Sequence, residues 1–459
     1  MYLSGGFRMD DKRVELLEKA PTSTAILKMA GPSIAGLLVM AIYNIVDTMF
    51  VAWIGTEATG ATQIVFPLVM IIGALGLTFG IGGSAIISRL LGEKNYKKAE
   101  QILATNVALA VLTGVIISII CIVNIEFVLK ILGARDKVLP LSKDYGVYIL
   151  IGASAQMLNM TLNNLLRGEG SAKYSMISMI TGAVVNIVLD PLFIFGMGMG
   201  IKGAAIATTI SQCVTSIMLL SQYFRGKTVL KLRSKNVVFD RVLINEVIKM
   251  GSPSFMQQIL MSLSITLLNQ FSGIYGGEAA IAAVGIVSRV MLIISYVIFG
   301  LAQGFQPVAG YNYGMKKQDR LKQSYRFTVR LSFGIAVVAG LGLLFFNESI
   351  LGIFKPSASV LALAKTYMKM SLLSILMMSV TTVIATYYQA IGENRPSLAI
   401  SVARQGLCFI PLITILPTFL GIRGVFIAQP LADGVTLVGA LVYRHKHDEK
   451  PMIMKSTEQ

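Results

Sequence analysis

The sequence predicts an all-α integral membrane protein with twelve transmembrane helices in two six-helix lobes. The lobes are related by a pseudo-two-fold axis along the membrane normal. Three observations carry this. The chain of 459 residues is 54% hydrophobic and 14% charged, with mean hydropathy +0.71, too little charge to cover a soluble surface of that size. It contains twelve apolar stretches of the length a bilayer requires, roughly 20 residues. The pattern also repeats: Lys28-Met29-Ala30-Gly31-Pro32-Ser33 returns as Lys249-Met250-Gly251-Ser252-Pro253-Ser254, and Gly200-Ile201-Lys202-Gly203 as Gly421-Ile422-Arg423-Gly424, both at an offset of 221 residues. An even number of spans per copy gives both copies the same orientation.

Residues 1–25 form a lead-in without an apolar run, so no cleavable signal peptide is expected. Within it, Val14-Glu15-Leu16-Leu17 reads either as a short helix on the inner leaflet or as a disordered stretch. The first lobe (26–224) holds spans near 26–53, 61–88, 99–123, 145–166, 172–195 and 203–224; Pro67 and several glycines interrupt the second. A basic connection, 225–246, leads to the second lobe (247–443), with spans near 247–274, 279–309, 321–345, 361–391, 396–419 and 423–443. Residues 444–459 are a charged tail. Further echoes of the repeat are Gly55-Thr56-Glu57-Ala58 with Gly276-Gly277-Glu278-Ala279, and the turns at Gly92-Glu93-Lys94-Asn95 and Gly314-Met315-Lys316-Lys317.

The net charge of +17 raises the question of nucleic acid, and its distribution argues against it. About 29 of the 40 Lys and Arg lie in the termini and even-numbered connections, and about 9 in the odd-numbered ones. The positive-inside rule then puts both termini and the 225–246 loop in the cytoplasm of an inner, plasma-membrane protein. Cys121, Cys213 and Cys408 sit singly in apolar spans, which predicts no disulfide framework or metal site. The two histidines, His445 and His447, lie in the tail. No phosphate-cradling motif is present, and no polar cluster suggests an enzyme.

Duplicated lobes leave a cavity on their common axis, and rocking one against the other gives alternating access. A channel would need a selectivity filter, and none is recognisable. The residues that carry chemistry are acids placed in hydrocarbon, where an ionised Asp costs about 2.5–3.5 kcal/mol on insertion scales. Asp47 lies late in span 1, with Asn44 three residues earlier; Asp190 lies late in span 5, with Asn186 four residues earlier. At the repeat offset they align with Leu268 and Pro411. Carboxylate and amide oxygens suit Na⁺, and buried carboxylates also suit protons; each Asp could instead cap a broken helix turn. Asp433, in Gln429-Pro430-Leu431-Ala432-Asp433, and Arg404 in the preceding span read as a structural ion pair. Arg289 has no obvious acidic partner and either snorkels or faces the cavity. Pro32 allows a bend in span 1. Of 24 methionines, Met40, Met256, Met261 and Met291 are candidate cavity residues.

The motifs Tyr43-Asn44-Ile45-Val46-Asp47-Thr48, Leu166-Arg167-Gly168-Glu169-Gly170 and Asn186-Ile187-Val188-Leu189-Asp190-Pro191, with the Gly-Ile-Lys/Arg-Gly echo and the Pro-Ser openings, give the whole chain a resemblance to the multidrug and toxic compound extrusion (MATE) family. The resemblance implies a V-shaped, monomeric exporter driven by a Na⁺ or H⁺ gradient, with no other cofactor. It implies a first-lobe cation site at Asp47, Asn186 and Asp190, with Tyr145, Asn163 and Thr208 nearby, and a bend at Pro32. Where one branch of the family has acids in spans 7 and 10, this chain has Gln257, Gln258, Tyr387 and Tyr388. That departure places it nearer the DNA-damage-inducible (DinF-like) branch and leaves Na⁺ and H⁺ both open.

The expectation is an antiporter that exports lipophilic, cationic drugs, a role in antibiotic resistance, with membrane lipid and small molecules as partners. The alternative is a flippase for lipid-linked sugars or another amphiphile of the same superfamily. A flippase would be expected to carry more cationic cavity residues than Arg289 alone.

Overall fold

The computed structural model describes residues 15–135, 138–226 and 228–448, with residues 447 and 448 described by backbone only. It is helical almost throughout. Ten helices have the length and apolarity to cross a bilayer, among them Arg241–Gly314. That helix is broken at Gly277 (φ 64°, ψ −164°) into spans 7 and 8, a backbone conformation only glycine adopts readily. Span 4 is built from two shorter helices, Val138–Ile151 and Ala153–Gly168. With these, the described residues form twelve spans.

The remaining spans are Thr22–Ile54, Thr56–Gly92, Tyr96–Val123, Ala172–Gly196, Ile201–Phe224, Gln318–Phe345, Ala358–Ile391, Asn394–Leu420 and one that begins at Ile422. Span 1 runs through Pro32 as one helix. The break in span 4 falls at Gly152, whose N–H still donates to the Tyr148 carbonyl at 3.1 Å; the Thr209 hydroxyl donates to the same carbonyl at 2.8 Å and ties span 6 to the break. Spans 5 and 11 each contain a π-helical turn, Leu192–Gly196 and Ala403–Leu407.

The repeat seen in the sequence is present in the backbone. Lys94 and Lys316 both take positive φ (60° and 59°), Gly170 pairs with Gly392 (84° and 90°), and Gly200 with Gly421 (57° and 58°). Two short helices that hydropathy does not reveal also match, Ile125–Ile131 and Asn347–Gly352. Each carries a Glu joined to a Lys seventeen residues on: Lys143 to Glu126 at 2.7 Å and Lys365 to Glu348 at 2.5 Å.

The chain divides into two compact units. The first runs to Ile259 and includes Phe299–Thr328 and Gln389–Asn394; the second comprises Leu260–Ile298, Val329–Tyr388 and the chain from Arg395. The second has a core that includes Val287, Leu372, Phe409 and Phe426. In the first unit, glycines bring spans 7 and 8 against spans 1 and 2. A Cβ on Gly251 would lie 2.1 Å from the Thr78 carbonyl oxygen, and one on Gly314 2.1 Å from that of Arg89. Arg89 faces Glu246 at 3.7 Å. Of the lead-in, residues 1–14, Val14 among them, lie outside the described residues; the described part packs on this unit, with Leu17 fully buried, Tyr311 donating to Glu18 at 3.4 Å, and Arg320 donating to the Ala20 carbonyl at 2.7 Å. Large side chains such as Val123, Phe345 and Phe419 are more than three-quarters exposed. That suits a lipid-facing surface, because the bilayer is as apolar as a core.

Candidate ion-coupling site

Within the first unit, spans 1, 4, 5 and 6 bring six polar side chains together. Asp190 is fully buried near the end of span 5, and Asn186, one turn earlier on the same face, is equally buried. The Asn186 amide donates to Asp190 Oδ1 at 3.2 Å and to Thr208 Oγ1 of span 6 at 3.4 Å. The Asp47 carboxyl of span 1 meets that of Asp190 at hydrogen-bonding range. Tyr43 lies beside Thr208 and both acids, and the buried Tyr145 of span 4 lies beside both acids as well.

Satisfaction of these groups is incomplete. Asp47 Oδ1, Asn186 Oδ1 and Asp190 Oδ2 are buried and have no hydrogen-bond donor. A buried acceptor without a partner costs about 1–3 kcal/mol, more when charged. Two ionised carboxyls 4 Å apart also repel by about 4 kcal/mol at an effective dielectric of 20. A proton or a small cation relieves both costs. The donors are oxygens, as alkali cations require, and among the described residues no cluster of three His, Cys, Asp or Glu exists to hold a transition metal.

Not every residue named from the sequence joins this group. Asn44 is exposed and donates to the Met40 carbonyl at 2.8 Å, so the amide partner of Asp47 is not its near neighbour in sequence. Asn163 belongs to a second buried network, donating to Asn159 O at 2.8 Å and accepting from Ser175 Oγ at 2.7 Å, while Arg167 Nη1 donates to Ser175 at 3.2 Å. Tyr43 is the site residue that a search for acids and amides passes over, although its spacing of four residues before Asp47 puts both on one helix face.

The other candidates are dispersed. Met40 and Met256 are partly buried in the first unit, Met261 and Met291 in the second. Gln258 lies 3.3 Å from Met70 Sδ, and Tyr387 and Tyr388 are buried. Arg289 is exposed and has no ion pair among the described residues. His447 lies outside the described side chains. In the second unit, Arg404 Nε donates to Asp433 Oδ1 at 2.7 Å, forming the ion pair expected from the sequence.

Comparisons with known proteins give the family. The MatE family profile matches residues 32–192 and 253–415, one match in each copy of the repeat. The chain is similar to the multidrug export protein MepA of Staphylococcus aureus (strain MRSA252), 27% identical over 95% of this chain and 96% of that protein. It is also similar to a crystal structure of MATE in complex with MaL6, at 26% identity and a TM-score of 0.91, covering 95% of this chain and 98% of the other. An outward-facing structure of a multidrug resistance MATE family transporter of the MOP superfamily matches at 27% identity and a TM-score of 0.90, with the same coverages. The chain belongs to the MatE family and is a multi-pass membrane transporter, not an enzyme.

Proposed function

We propose that the protein is an antiporter that couples inward movement of Na⁺ or H⁺ at Asp47, Asn186 and Asp190 to export of lipophilic cations by alternating access. The observation that carries this is the convergence of three buried, donorless oxygens from spans 1 and 5. Such a group is unfavourable without a cation and so gives ion occupancy a differential energy between conformations, which coupling requires. The name and function of the Staphylococcus aureus relative support multidrug compounds as the cargo class. The two acids of the site favour cationic ones. Both termini lie in the cytoplasm of the plasma membrane, a reading supported by the basic residues of the even-numbered connections. The protein works as a monomer.

The test is efflux of a fluorescent cationic dye from proteoliposomes under a Na⁺ gradient or a pH gradient alone. One gradient is expected to drive dye movement. Asp47→Asn and Asp190→Asn are each expected to abolish uphill movement while remaining folded. Uphill export that survives in both variants would sink the assignment.

A further inference from the structure

The second unit contains a buried carboxylate cluster on the three helices that correspond to spans 4, 5 and 6. Asp433, on span 12, is fully buried. Its Oδ1 accepts from Arg404 Nε of span 11 at 2.7 Å and from Gln429 Nε2 at 3.2 Å. Its Oδ2 accepts from Ser374 Oγ of span 10. Gln429 stands 221 residues after Thr208, at the position where the first copy has its site hydroxyl.

The two clusters differ in what completes them. In the first, three oxygens lack a donor; in the second, both carboxylate oxygens of Asp433 are bonded, and a guanidinium supplies the positive charge. Arg404 reaches that position from the π-helical turn Ala403–Leu407, where Cys408 N donates to the Ala403 carbonyl at 2.9 Å. The extra residue in such a turn re-aims the side chains around it. At the repeat offset the same stretch of span 5 is regular α-helix and carries Asn186, while the first copy's π turn comes only after Asp190.

We infer that the Arg404 guanidinium is a tethered cation in the second copy's counterpart of the ion site, so that only the first lobe exchanges an ion with solution. Resting on the ion-coupling reading of the first lobe, this limits the transporter to one ion-exchanging lobe and makes Arg404 the residue that sets the limit. The counterpart is a cation site in chemistry: a buried carboxylate with an amide and a hydroxyl around it, closed by a built-in charge. Removing the guanidinium therefore opens a vacancy for a small cation of matching charge, either guanidinium itself, Na⁺ or a proton.

The experiment follows thermal unfolding of the purified full chain against added guanidinium (millimolar, far below denaturing levels), Na⁺ and acid. All variants carry Asp190→Asn, which removes the first site, so the readout does not depend on transport. Asp190→Asn alone is expected to show no ion-dependent midpoint. Adding Arg404→Ala should lower the midpoint and create a saturable recovery with guanidinium or Na⁺, and further addition of Asp433→Asn should abolish that recovery. A flat response in the Arg404→Ala protein would overturn the proposal, as would an ion response of Asp190→Asn alone that Asp433→Asn removes. If Arg404→Ala yields folded protein only when purified with guanidinium, the proposal stands. If it does not fold even then, while Arg404→Met/Asp433→Leu does, the pair is packing alone and the proposal fails. Failure of the first-lobe reading would show separately, as equal ion responses of wild type and Asp190→Asn.

Discussion

Tyr43 and Asn163 separate residues that touch the ion site from residues that support it. The Tyr43 hydroxyl lies beside Thr208 and both acids, and a net hydrogen bond is worth about 0.5–1.5 kcal/mol. Tyr43→Phe keeps the ring in place, so it should raise the ion concentration for half-maximal efflux by up to about tenfold with little change in thermal stability. An unchanged ion titration would remove Tyr43 from the site. Asn163 is held by Asn159 and Ser175, and through Ser175 by Arg167. Asn163→Ala should leave the ion titration alone and destabilise the fold by about 1–3 kcal/mol, the usual cost of orphaning buried polar partners. Calorimetry beside the efflux titration distinguishes the two outcomes.

At the scale of elements, close backbone approach at glycines brings spans 7 and 8 against span 2. Span 7 meets span 2 at Gly251, and span 8 meets it at Gly314. An added Cβ at either position strikes a backbone carbonyl that has no rotamer to yield, so Gly251→Ala and Gly314→Ala should each cost about 1–3 kcal/mol. Gly334, with open space around its Cβ position, is the control and should be neutral or slightly stabilising as Ala. If all three variants melt alike, this packing does not hold spans 7 and 8 to span 2. Span 1 presents the opposite case, an unbroken helix whose Pro32 removes one backbone hydrogen bond. Pro32→Ala should fold at least as stably and slow turnover if the helix bends there during the cycle; unimpaired initial rates would show the proline to be passive.

At the scale of the whole chain, each copy of the repeat carries one exposed Glu–Lys pair, Glu126–Lys143 and Glu348–Lys365. Lys143 holds the Glu126 carboxyl below its usual range, and Lys365 does the same for Glu348. A carboxylate so depressed contributes stability at neutral pH that is lost as pH falls through its folded-state value. Because these pairs are exposed, salt screens that contribution to a small one. The same residues give a test of orientation. In a cysteine-free background, Glu126→Cys should react with a membrane-impermeant maleimide in intact cells, and Lys235→Cys only after permeabilisation. The reverse pattern would invert the proposed topology.

The sequence by itself determined the membrane class, the number of spans and the duplication, because a bilayer demands about 20 apolar residues per crossing and a repeat preserves its offset. It also marked Asp47, Asn186 and Asp190, since acids and amides in hydrocarbon stand out without any structure. It did not reveal the helices Ile125–Ile131 and Asn347–Gly352, which are too short to register in hydropathy, nor the π turns, which depend on hydrogen-bond register. Only the tertiary structure decided that Tyr43 rather than Asn44 accompanies Asp47, that Asn163 serves Ser175 instead of the acids, and that Ser374 and Gln429 complete the Arg404–Asp433 pair while the first cluster stays open. Each of those depends on which side chains from separate spans converge, and periodicity along one helix fixes a face without fixing what packs against it.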